Sequence, residues 1–380
     1  MSIHTNDYNC SGCTACASVC PKNAISMLPD ALGFLYPKVD KGRCIECGLC
    51  EKVCSFNNDY DRSYNFDSPI IYAVRHQDIN EIERSRSGAA FIAFSDYILK
   101  HGGVVYGAGY EGHFRVVHKR AVNKTERDEF RGSKYVQSDL NGIYKNVKVD
   151  LQAGYKVLFS GTPCQTAGLR AYIGEKLLDN LFLIDIVCHG VPSPYVWRDY
   201  LSNIERKLGE PVMSLSFRDK KKYGWKAHYE SFNGQNKSIS TDSYKYLFYK
   251  HIMLRKSCSI CPFTNLNRPS DVTLGDYWGW QKTDKEFNKD DKGCSLLLLN
   301  TKKGVDWFDI VKNTLNFIPV KRENCLQPAL QKPFPMHPHR NLFEKIYKCS
   351  GFKVTLLLWG NIGILYRLKT LINKLRRRLS

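Results

Sequence analysis

The sequence lacks three features that would each narrow its class: an export signal, a long apolar run and a recognisable nucleic-acid-binding module. Residues 1–9 carry no basic, apolar or cleavable pattern, so no export signal is expected. No uninterrupted apolar stretch is long enough to span a bilayer comfortably. The absence of a known DNA- or RNA-binding pattern makes nucleic-acid binding the weakest interpretation of the basic charge.

Acidic residues are also in short supply. The chain has 37 Asp and Glu against 56 Lys and Arg, which gives a formal net charge of +19 at pH 7. Such a balance favours an acidic electron donor, a phosphorylated cofactor or an anionic membrane surface as partner. An apolar fraction of 43% with 12% aromatics is typical of globular proteins, so long disorder is not expected.

The only internal repeat is a pair of cysteine runs with the spacing C-x2-C-x2-C-x3-C. Pro21 follows the first run as the pattern requires, whereas Ser55 follows the second. In bacterial ferredoxins this spacing binds two 4Fe–4S clusters, and the fourth cysteine of each run ligates the other run's cluster. We therefore predict one cluster on Cys10, Cys13, Cys16 and Cys54, and another on Cys44, Cys47, Cys50 and Cys20.

Two other uses of these cysteines are less suited to the pattern. Paired C-x2-C motifs also bind zinc, but zinc sites rarely use three evenly spaced cysteines plus a fourth, twice in tandem. Disulfides would require a secreted framework, which the sequence does not show. Oxygen-sensitive clusters instead predict a reducing, cytoplasmic location.

Changes in composition divide the chain into five segments. They are a ferredoxin-type module at 1–57, a polar linker at 58–68, two parts of one α/β domain at 69–150 and 151–350, and a basic amphipathic tail at 351–380. Apolar strands alternate with helical spacing in the α/β part, which predicts a largely parallel sheet. Such sheets bind ligands at the carboxyl ends of their strands.

Four further cysteines suggest a third cluster. Cys258 and Cys261 form one C-x2-C motif, and Cys164 and Cys188 each follow a predicted strand. We hypothesise that these four thiolates bind a third 4Fe–4S cluster, the alternative being that Cys164 and Cys188 are small core residues. The remaining three cysteines have no partner motif and are interpreted as structural: Cys294, Cys325 and Cys349.

Seven short segments of unusual sequence follow one another along the chain in an order that is typical of one protein family. They are the double cysteine run, Ser87-Gly88, Lys134 to Ser138 (KYVQS), Gly161 to Gln165 (GTPCQ), Cys188 to Pro194 (CHGVPSP), Cys258-x2-Cys261, and Ser270 to Gly279 with its GDYWG core. With these segments, residues 1 to about 350 resemble the beta-subunit family of coenzyme F420 hydrogenases and dehydrogenases, in the longer form with an N-terminal ferredoxin module.

The resemblance implies an α+β or α/β protein in which a bacterial-ferredoxin-like di-cluster module precedes a mixed α/β flavin and iron–sulfur domain. Carried over to this sequence, the FAD contacts would be Ser87, Gly88, Lys134, Gly161, Thr162 and Pro163. The family usually has a second glycine after the serine, where this chain has Ala89. Its methyl group is expected to crowd the cofactor.

Two residues are candidates for catalysis. Lys134 would hold negative charge on the flavin, although a lysine before an aromatic residue is more often a solvated surface residue. His189 would donate to a cluster sulfur or transfer protons, the alternative being that it satisfies a loop carbonyl. Asp276 would cap a turn or bind ribose, and Trp278 and Trp280 would either cover a cofactor or pack in the core.

The resulting prediction is an iron–sulfur flavoprotein oxidoreductase. It would pass electrons from a redox partner protein or reduced ferredoxin, through FAD, to a small two-electron acceptor such as coenzyme F420, or in reverse. The alternative is a non-catalytic electron-transfer subunit, with a link to surface polysaccharide synthesis as a speculation. Residues 354–379 would either lie on the cytoplasmic face of an anionic membrane or pack on the domain.

Overall fold

The computed structural model describes residues 8–57, 65–360 and 362. Most of the predicted linker at 58–68 and of the tail at 351–380 lies outside these residues, so their predicted roles, including membrane contact, stay predictions. In the part of the chain that is described, no helix is long and apolar enough to cross a membrane.

The described chain contains thirteen strands. They are β1 (Ile25–Pro29), β2 (Leu35–Val39), β3 (Ile70–His76), β4 (Val104–Glu111), β5 (Arg115–Ala121), β6 (Val157–Gly161), β7 (Leu181–Ile186), β8 (Ser214–Ser216), β9 (Glu230–Asn233), β10 (Ser238–Thr241), β11 (Val272–Asp276), β12 (Ser295–Leu299) and β13 (Leu315–Pro319).

Fourteen α-helices lie between or beside these strands in the described residues. They are α1 (Ala15–Val19), α2 (Leu49–Lys52), α3 (Ile79–Arg84), α4 (Ala90–Lys100), α5 (Lys124–Asp128), α6 (Ile143–Gln152), α7 (Pro163–Ile173), α8 (Pro194–Leu208), α9 (Lys220–Tyr223), α10 (Ser243–Tyr249), α11 (Trp280–Thr283), α12 (Lys302–Val311), α13 (Arg322–Cys325) and α14 (Arg340–Trp359), the last interrupted by non-helical backbone at Gly351.

The main sheet has eight strands in the order β13-β3-β12-β11-β7-β6-β4-β5. Its four central strands, β11, β7, β6 and β4, pair in parallel, whereas β5, β12, β3 and β13 join through antiparallel pairs. The prediction of a mixed α/β domain is confirmed. The prediction of a largely parallel sheet is wrong, because more than half of the strand pairs are antiparallel.

Side chains alternate across this sheet to form two cores. In β6, Leu158 packs on one face with α4 and α12, whereas Val157 and Phe159 pack on the other with α6 and α7. The N-terminal module covers this second face, where Ala15 of α1 enters the same core. The module is itself a β1–β2 antiparallel pair with α1 and α2.

A third core lies beside the main sheet and involves the small antiparallel sheet β10-β9-β8. Helices α8, α10 and α14 contribute large side chains to it, among them Trp197, Phe248 and Phe343. The long segment between β7 and β11 therefore forms a distinct layer, and this layer delivers the Cys258–Cys261 motif to the carboxyl edge of the main sheet.

Candidate functional site

The two N-terminal cysteine runs share one backbone conformation. The residues on either side of the second cysteine in each run have positive φ: Gly12 (71°) and Thr14 (63°) in the first, Glu46 (53°) and Gly48 (71°) in the second. Two left-handed residues around one cysteine fold the run into a tight loop, and left-handed backbone at Thr14 and Glu46 is costly for residues with a side chain. The repeat in sequence is therefore a repeat in structure, with each loop placed to wrap a cluster.

The structure brings Cys54 to the first run, as the crossed ligation predicts. Burial, together with the neighbouring Cys54 and Cys10, raises the pKa of the Cys13 thiol to about 12. Burial also raises the pKa of Cys16, again with Cys13, Cys10 and Cys54 nearby. Such thiols lose their protons on binding metal, because the thiolate is the ligand.

The other predicted set lies nearer the surface. Cys47 is exposed, and it helps to raise the pKa of Cys50, for which partial burial is the main cause. The Cys20 sulfur accepts a hydrogen bond from the backbone N–H of Ala24 at 3.2 Å. Binding of a cluster by these residues together with Cys44 stays a prediction.

The four cysteines proposed for a third cluster line one cavity. Cys164 and Cys188 follow the neighbouring parallel strands β6 and β7, so both lie at the carboxyl edge of the sheet. Burial raises the pKa of Cys188 well above its usual range, with Cys258, Cys164 and Cys261 as further causes. Burial likewise raises the pKa of Cys258 to about 11 and that of Cys261 to about 12.

Polar groups lie within hydrogen-bond distance of two of these sulfurs. The Thr162 hydroxyl lies 3.2 Å from the Cys164 sulfur, and the Val191 N–H donates to the Cys258 sulfur at 3.4 Å. Donors to cluster sulfurs are a standard means of setting cluster potentials. The described residues contain no group of three or more His, Cys, Asp or Glu side chains that could hold a metal ion. In a 4Fe–4S cluster each thiolate binds a different iron, so the cysteines around it do not converge on one point.

The N-terminal module approaches this cavity directly. A Cβ at Gly168 of α7 would lie 2.8 Å from the Cys13 sulfur, so only glycine allows this contact. Ser11 and Phe56 line the same cavity as Cys164, and Cys164 contributes to raising the pKa of Cys13. The Cys13 set therefore lies next to the Cys164 cavity, whereas Cys47 of the remaining set is exposed.

Arg255 lies between the last two sets with its side chain fully buried. Its guanidinium donates to the Cys10 carbonyl at 2.7 Å, the Leu35 carbonyl at 2.9 Å and the Gln137 side chain at 3.0 Å. Its charge opposes the effect of burial on the pKa of Cys164 and of Cys258. Its position three residues before Cys258 was the one signal in the sequence that could have singled out Arg255.

His189 also lines the cavity, with its ring stacked on Phe334 at 3.7 Å between centroids. Its Nε2 lies 2.7 Å from Nε2 of His251, whose Nδ1 lies 3.2 Å from the carbonyl of Pro335. A carbonyl only accepts, so this pattern places the His251 proton on Nδ1 and makes His189 the Nε2–H donor. Burial, with the charge of His251, lowers the pKa of His189 to about 4.

Five of the six residues predicted to contact flavin, all except Lys134, lie in two loops at one edge of the sheet. Ser87 and Gly88 precede α4, and their hydroxyl and N–H bond to the Cys294 carbonyl and the Ser295 hydroxyl. Gly161, Thr162 and Pro163 join β6 to α7, and the Thr162 N–H donates to the Gln165 side chain at 2.9 Å. These polar groups hold their own loops in place.

Ala89 and Lys134 take positions that the sequence did not indicate. Ala89 caps α4 with a φ of 63°, so the backbone itself favours glycine here. The Lys134 ammonium donates to the carbonyls of Glu129 (2.7 Å) and Arg131 (3.0 Å) and stands over the Tyr110 ring. Burial lowers the pKa of Lys134 to about 7, whereas the carbonyl contacts favour its charged form.

A pair of buried arginines near Ser87 was missed. Arg86 and Arg218 both approach Asp276 at the end of β11, and their side chains are 9% and 6% exposed. Nε and Nη1 of Arg86 and Nε of Arg218 have no hydrogen-bond partner. Of the aromatic residues after Asp276, Trp280 packs in the core as expected, whereas Trp278 is 43% exposed.

The structural assignment of the other three cysteines holds for two of them. Cys294 and Cys325 are buried in one hydrophobic core. Cys349 is exposed and is not a core residue.

Comparison with known proteins agrees with this geometry. Residues 154–322 match the family described as the C terminus of the beta subunit of coenzyme F420 hydrogenase/dehydrogenase, and residues 9–58 match the 4Fe-4S dicluster domain. No curated protein matches the chain. Among solved structures, one chain of the F420-reducing [NiFe] hydrogenase complex from Methanosarcina barkeri, in a xenon derivative, is similar at 15% identity and a TM-score of 0.48, over 79% of this chain and 95% of that chain. The two family matches support an iron–sulfur electron-transfer protein of an oxidoreductase.

Proposed function

We propose that this chain is an iron–sulfur flavoprotein oxidoreductase, because residues 154–322 match the C terminus of the coenzyme F420 hydrogenase/dehydrogenase beta subunit and residues 9–58 match the 4Fe-4S dicluster domain. It exchanges single electrons with a redox partner and two electrons with a small-molecule acceptor, for which coenzyme F420 is the first candidate. The observation that carries the proposal is the close approach of the Cys13 set to the cavity that four further cysteines line at the carboxyl edge of the sheet.

The proposal assigns twelve cysteines to three clusters. The inner sets are Cys10, Cys13, Cys16 and Cys54, and Cys164, Cys188, Cys258 and Cys261, and the outer set is Cys20, Cys44, Cys47 and Cys50. When bound, 4Fe–4S clusters carry one electron at a time, whereas FAD accepts or donates either one electron or two. The exposed Cys47 makes the outer set the natural point of contact with a donor protein.

The carboxyl edge of the sheet supports the choice of FAD. Both predicted flavin loops lie there, separated by three strand spacings or roughly 14 Å, which one extended dinucleotide can bridge. The unpartnered guanidinium of Arg86 stands directly before Ser87 and suits a pyrophosphate. Ser87, Gly88 and Thr162 then act by shaping the loops, because their own polar groups are engaged.

His189 provides the proton chemistry beside the cavity. With Nδ1 of His251 beside the carbonyl of Pro335, the Nε2–H of a neutral His189 is directed at Nε2 of His251. A neutral ring leaves Nδ1 as a proton acceptor, so His189 can take a proton when the cavity gains negative charge. Lys134 is held by loop carbonyls, and we propose that it fixes the 129–134 loop.

Anaerobic purification followed by iron, zinc and flavin analysis tests the proposal. We expect about twelve iron atoms per chain, from four per cluster, and flavin approaching one per chain. A colourless protein that contains zinc would contradict the iron–sulfur assignment. Twelve irons without flavin, even after FAD is added, would instead establish the second candidate, a non-catalytic electron-transfer subunit, which the engaged polar groups of the flavin loops favour.

A further inference from the structure

The carboxyl end of β11 carries more buried positive charge than its carboxylate can balance. Asp276 accepts from Nη1 of Arg218 at 2.5 Å and lies 4.0 Å from Nε of Arg86. Both guanidiniums are at least nine-tenths buried as side chains, and together they leave three nitrogen atoms without a hydrogen-bond partner. Buried charges are normally paired and fully hydrogen-bonded, so this arrangement is incomplete as it stands.

Three basic groups here have lowered pKa values to which neighbouring positive charge contributes. The proximity of Arg218 adds to burial in lowering the pKa of Arg86 to about 10. Arg86 in turn adds to burial in lowering the pKa of Lys220 to about 7. Burial, with the charges of Arg218, Lys245 and Arg86, lowers the pKa of His228 to about 2. Asp276 is the one acid among these groups that both arginines contact.

A ring surface lies beside the two arginines. Trp278 stacks on the buried Trp225 at 4.7 Å, and the Arg218 guanidinium stands 5.0 Å from the Trp278 ring centre. Both arginines donate to the carbonyl of Trp225, which fixes their positions. Two guanidinium groups in fixed positions can donate to an oxyanion, and the exposed indole beside them can stack on a planar ring. The arrangement therefore suits a ligand that carries both.

The site is also continuous with the cluster cavity. Rings in contact lead from His189 to Tyr249 at 5.5 Å, from Tyr249 to His228 at 5.5 Å, and from His228 to Tyr135 at 4.9 Å. Tyr135 and Asp276 are the causes that raise the pKa of Arg218. A ligand held at the arginines would therefore be joined to the third cysteine set by this row of rings.

We propose that Arg86 and Arg218 form an oxyanion site that binds a phosphate or carboxylate group of a redox ligand. The anion completes the hydrogen bonding of the three unpartnered nitrogens and neutralises the surplus charge. The statement that the ligand is redox-active rests on the proposed function. The statement that the two arginines bind an anion does not depend on it. The anion belongs either to the pyrophosphate of the flavin or to an acid group of the two-electron acceptor.

The experiment measures anion binding by calorimetry on anaerobic full-length protein, with inorganic pyrophosphate and oxalate as separate probes. Arg218→Gln should weaken binding about tenfold or more, because it removes a charge-assisted partner. Asp276→Asn should strengthen binding, because it removes the competing negative charge. Arg198→Gln, on an exposed residue paired with Asp199, is the matched control and should bind as the parent does.

The opposite signs of the two variants separate a binding site from a structural ion pair. If the arginines only hold Asp276 in place, both variants should lose stability and neither should change anion binding, which would overturn the proposal. Should Arg218→Gln fail to fold, Arg86→Gln provides the same comparison.

The probes also distinguish the source of the anion. Pyrophosphate that binds flavin-free protein and is displaced by FAD identifies the cofactor as the source. Binding of either probe that persists in flavin-loaded protein identifies an acidic acceptor. Anion binding in protein that takes up no flavin would refute the flavin proposal while supporting the oxyanion site. Failure of both probes to bind would overturn it.

Discussion

The guanidinium of Arg255 donates a hydrogen bond to the carbonyl oxygen of Cys10, 245 positions away in the chain, at 2.7 Å. A second nitrogen of the same group stands 3.5 Å from the Cys10 sulfur. One buried cation thus contacts the N-terminal module and lies against the cavity of the third cysteine set. It serves both as an attachment between the two parts and as a fixed positive charge between two predicted clusters.

Replacing this cation should change stability and redox behaviour together. We expect Arg255→Gln to lower the free energy of unfolding by about 3 kcal/mol, because several buried carbonyls lose their charged donor. The reduction potentials of the two inner clusters should become more negative, since less positive charge faces the added electron. Anaerobic redox titration followed by electron paramagnetic resonance measures this, with the exposed Arg198→Gln as control. Unchanged potentials in a folded variant would leave Arg255 with a purely structural function.

Removal of one inner ligand should remove one cluster. Cys258→Ala is expected to reduce iron from about twelve to about eight atoms per chain, because the other two sets keep all their cysteines. Cys349→Ala, which changes an exposed cysteine outside the three sets, should keep the full content. Equal iron in both variants would return Cys258 to the role of a core residue.

Ala89 offers a test of backbone strain at the first flavin loop. Its φ of 63° is unfavourable for alanine, so Ala89→Gly should stabilise the protein by about 1 kcal/mol. The control Ala153→Gly changes an alanine with a φ of −77° and should be neutral or destabilising. Thermal unfolding of both variants decides the matter. A loss of stability in Ala89→Gly would show that the methyl group contributes packing that exceeds the strain.

Glu230 should make stability depend on pH. Its side chain is fully buried, and only one of its oxygens, Oε1, has a hydrogen-bond partner, the N–H of Lys245. Burial raises the pKa of Glu230 from 4.5 to about 8, so the native state holds this proton more tightly than the unfolded chain. The contribution to stability is therefore complete below about pH 4.5 and is lost as the pH rises through 8.

Glu230→Gln should remove this dependence. Above pH 8 the variant should exceed the parent in stability by more than about 1.4 kcal/mol, the equivalent of one pK unit. The exposed Glu286→Gln should follow the parent across the same range. Parallel stability curves for the parent and Glu230→Gln would show that Glu230 does not titrate in this window.

The sequence was informative where chemistry depends on local spacing. The crossed position of Cys54 and the convergence of Cys164 and Cys188 followed from ligand spacing and from the rule for strand ends. The prediction of a largely parallel sheet was wrong because β12 is buried along its whole length. A continuous apolar run of this kind does not indicate whether the strand pairs in parallel or antiparallel.

The basic residues were missed because their partners are distant in sequence. Arg218 meets Asp276 across 58 positions, and Arg255 meets Cys10 across 245. A lone arginine is usually a solvated residue, and nothing in the local pattern marks it as buried. Only the folded chain shows that its charge is enclosed.

The exposure of Cys47 also has a consequence for damage by air. Cys47 is exposed to solvent, whereas the other eleven cysteines of the three sets are partly buried. Oxidation follows access, so dioxygen will attack the outermost cube first. Brief exposure to air should therefore yield a protein that keeps the absorbance of its two inner clusters and has lost the outermost one. Such a protein would no longer accept electrons from its donor, although it would still be coloured.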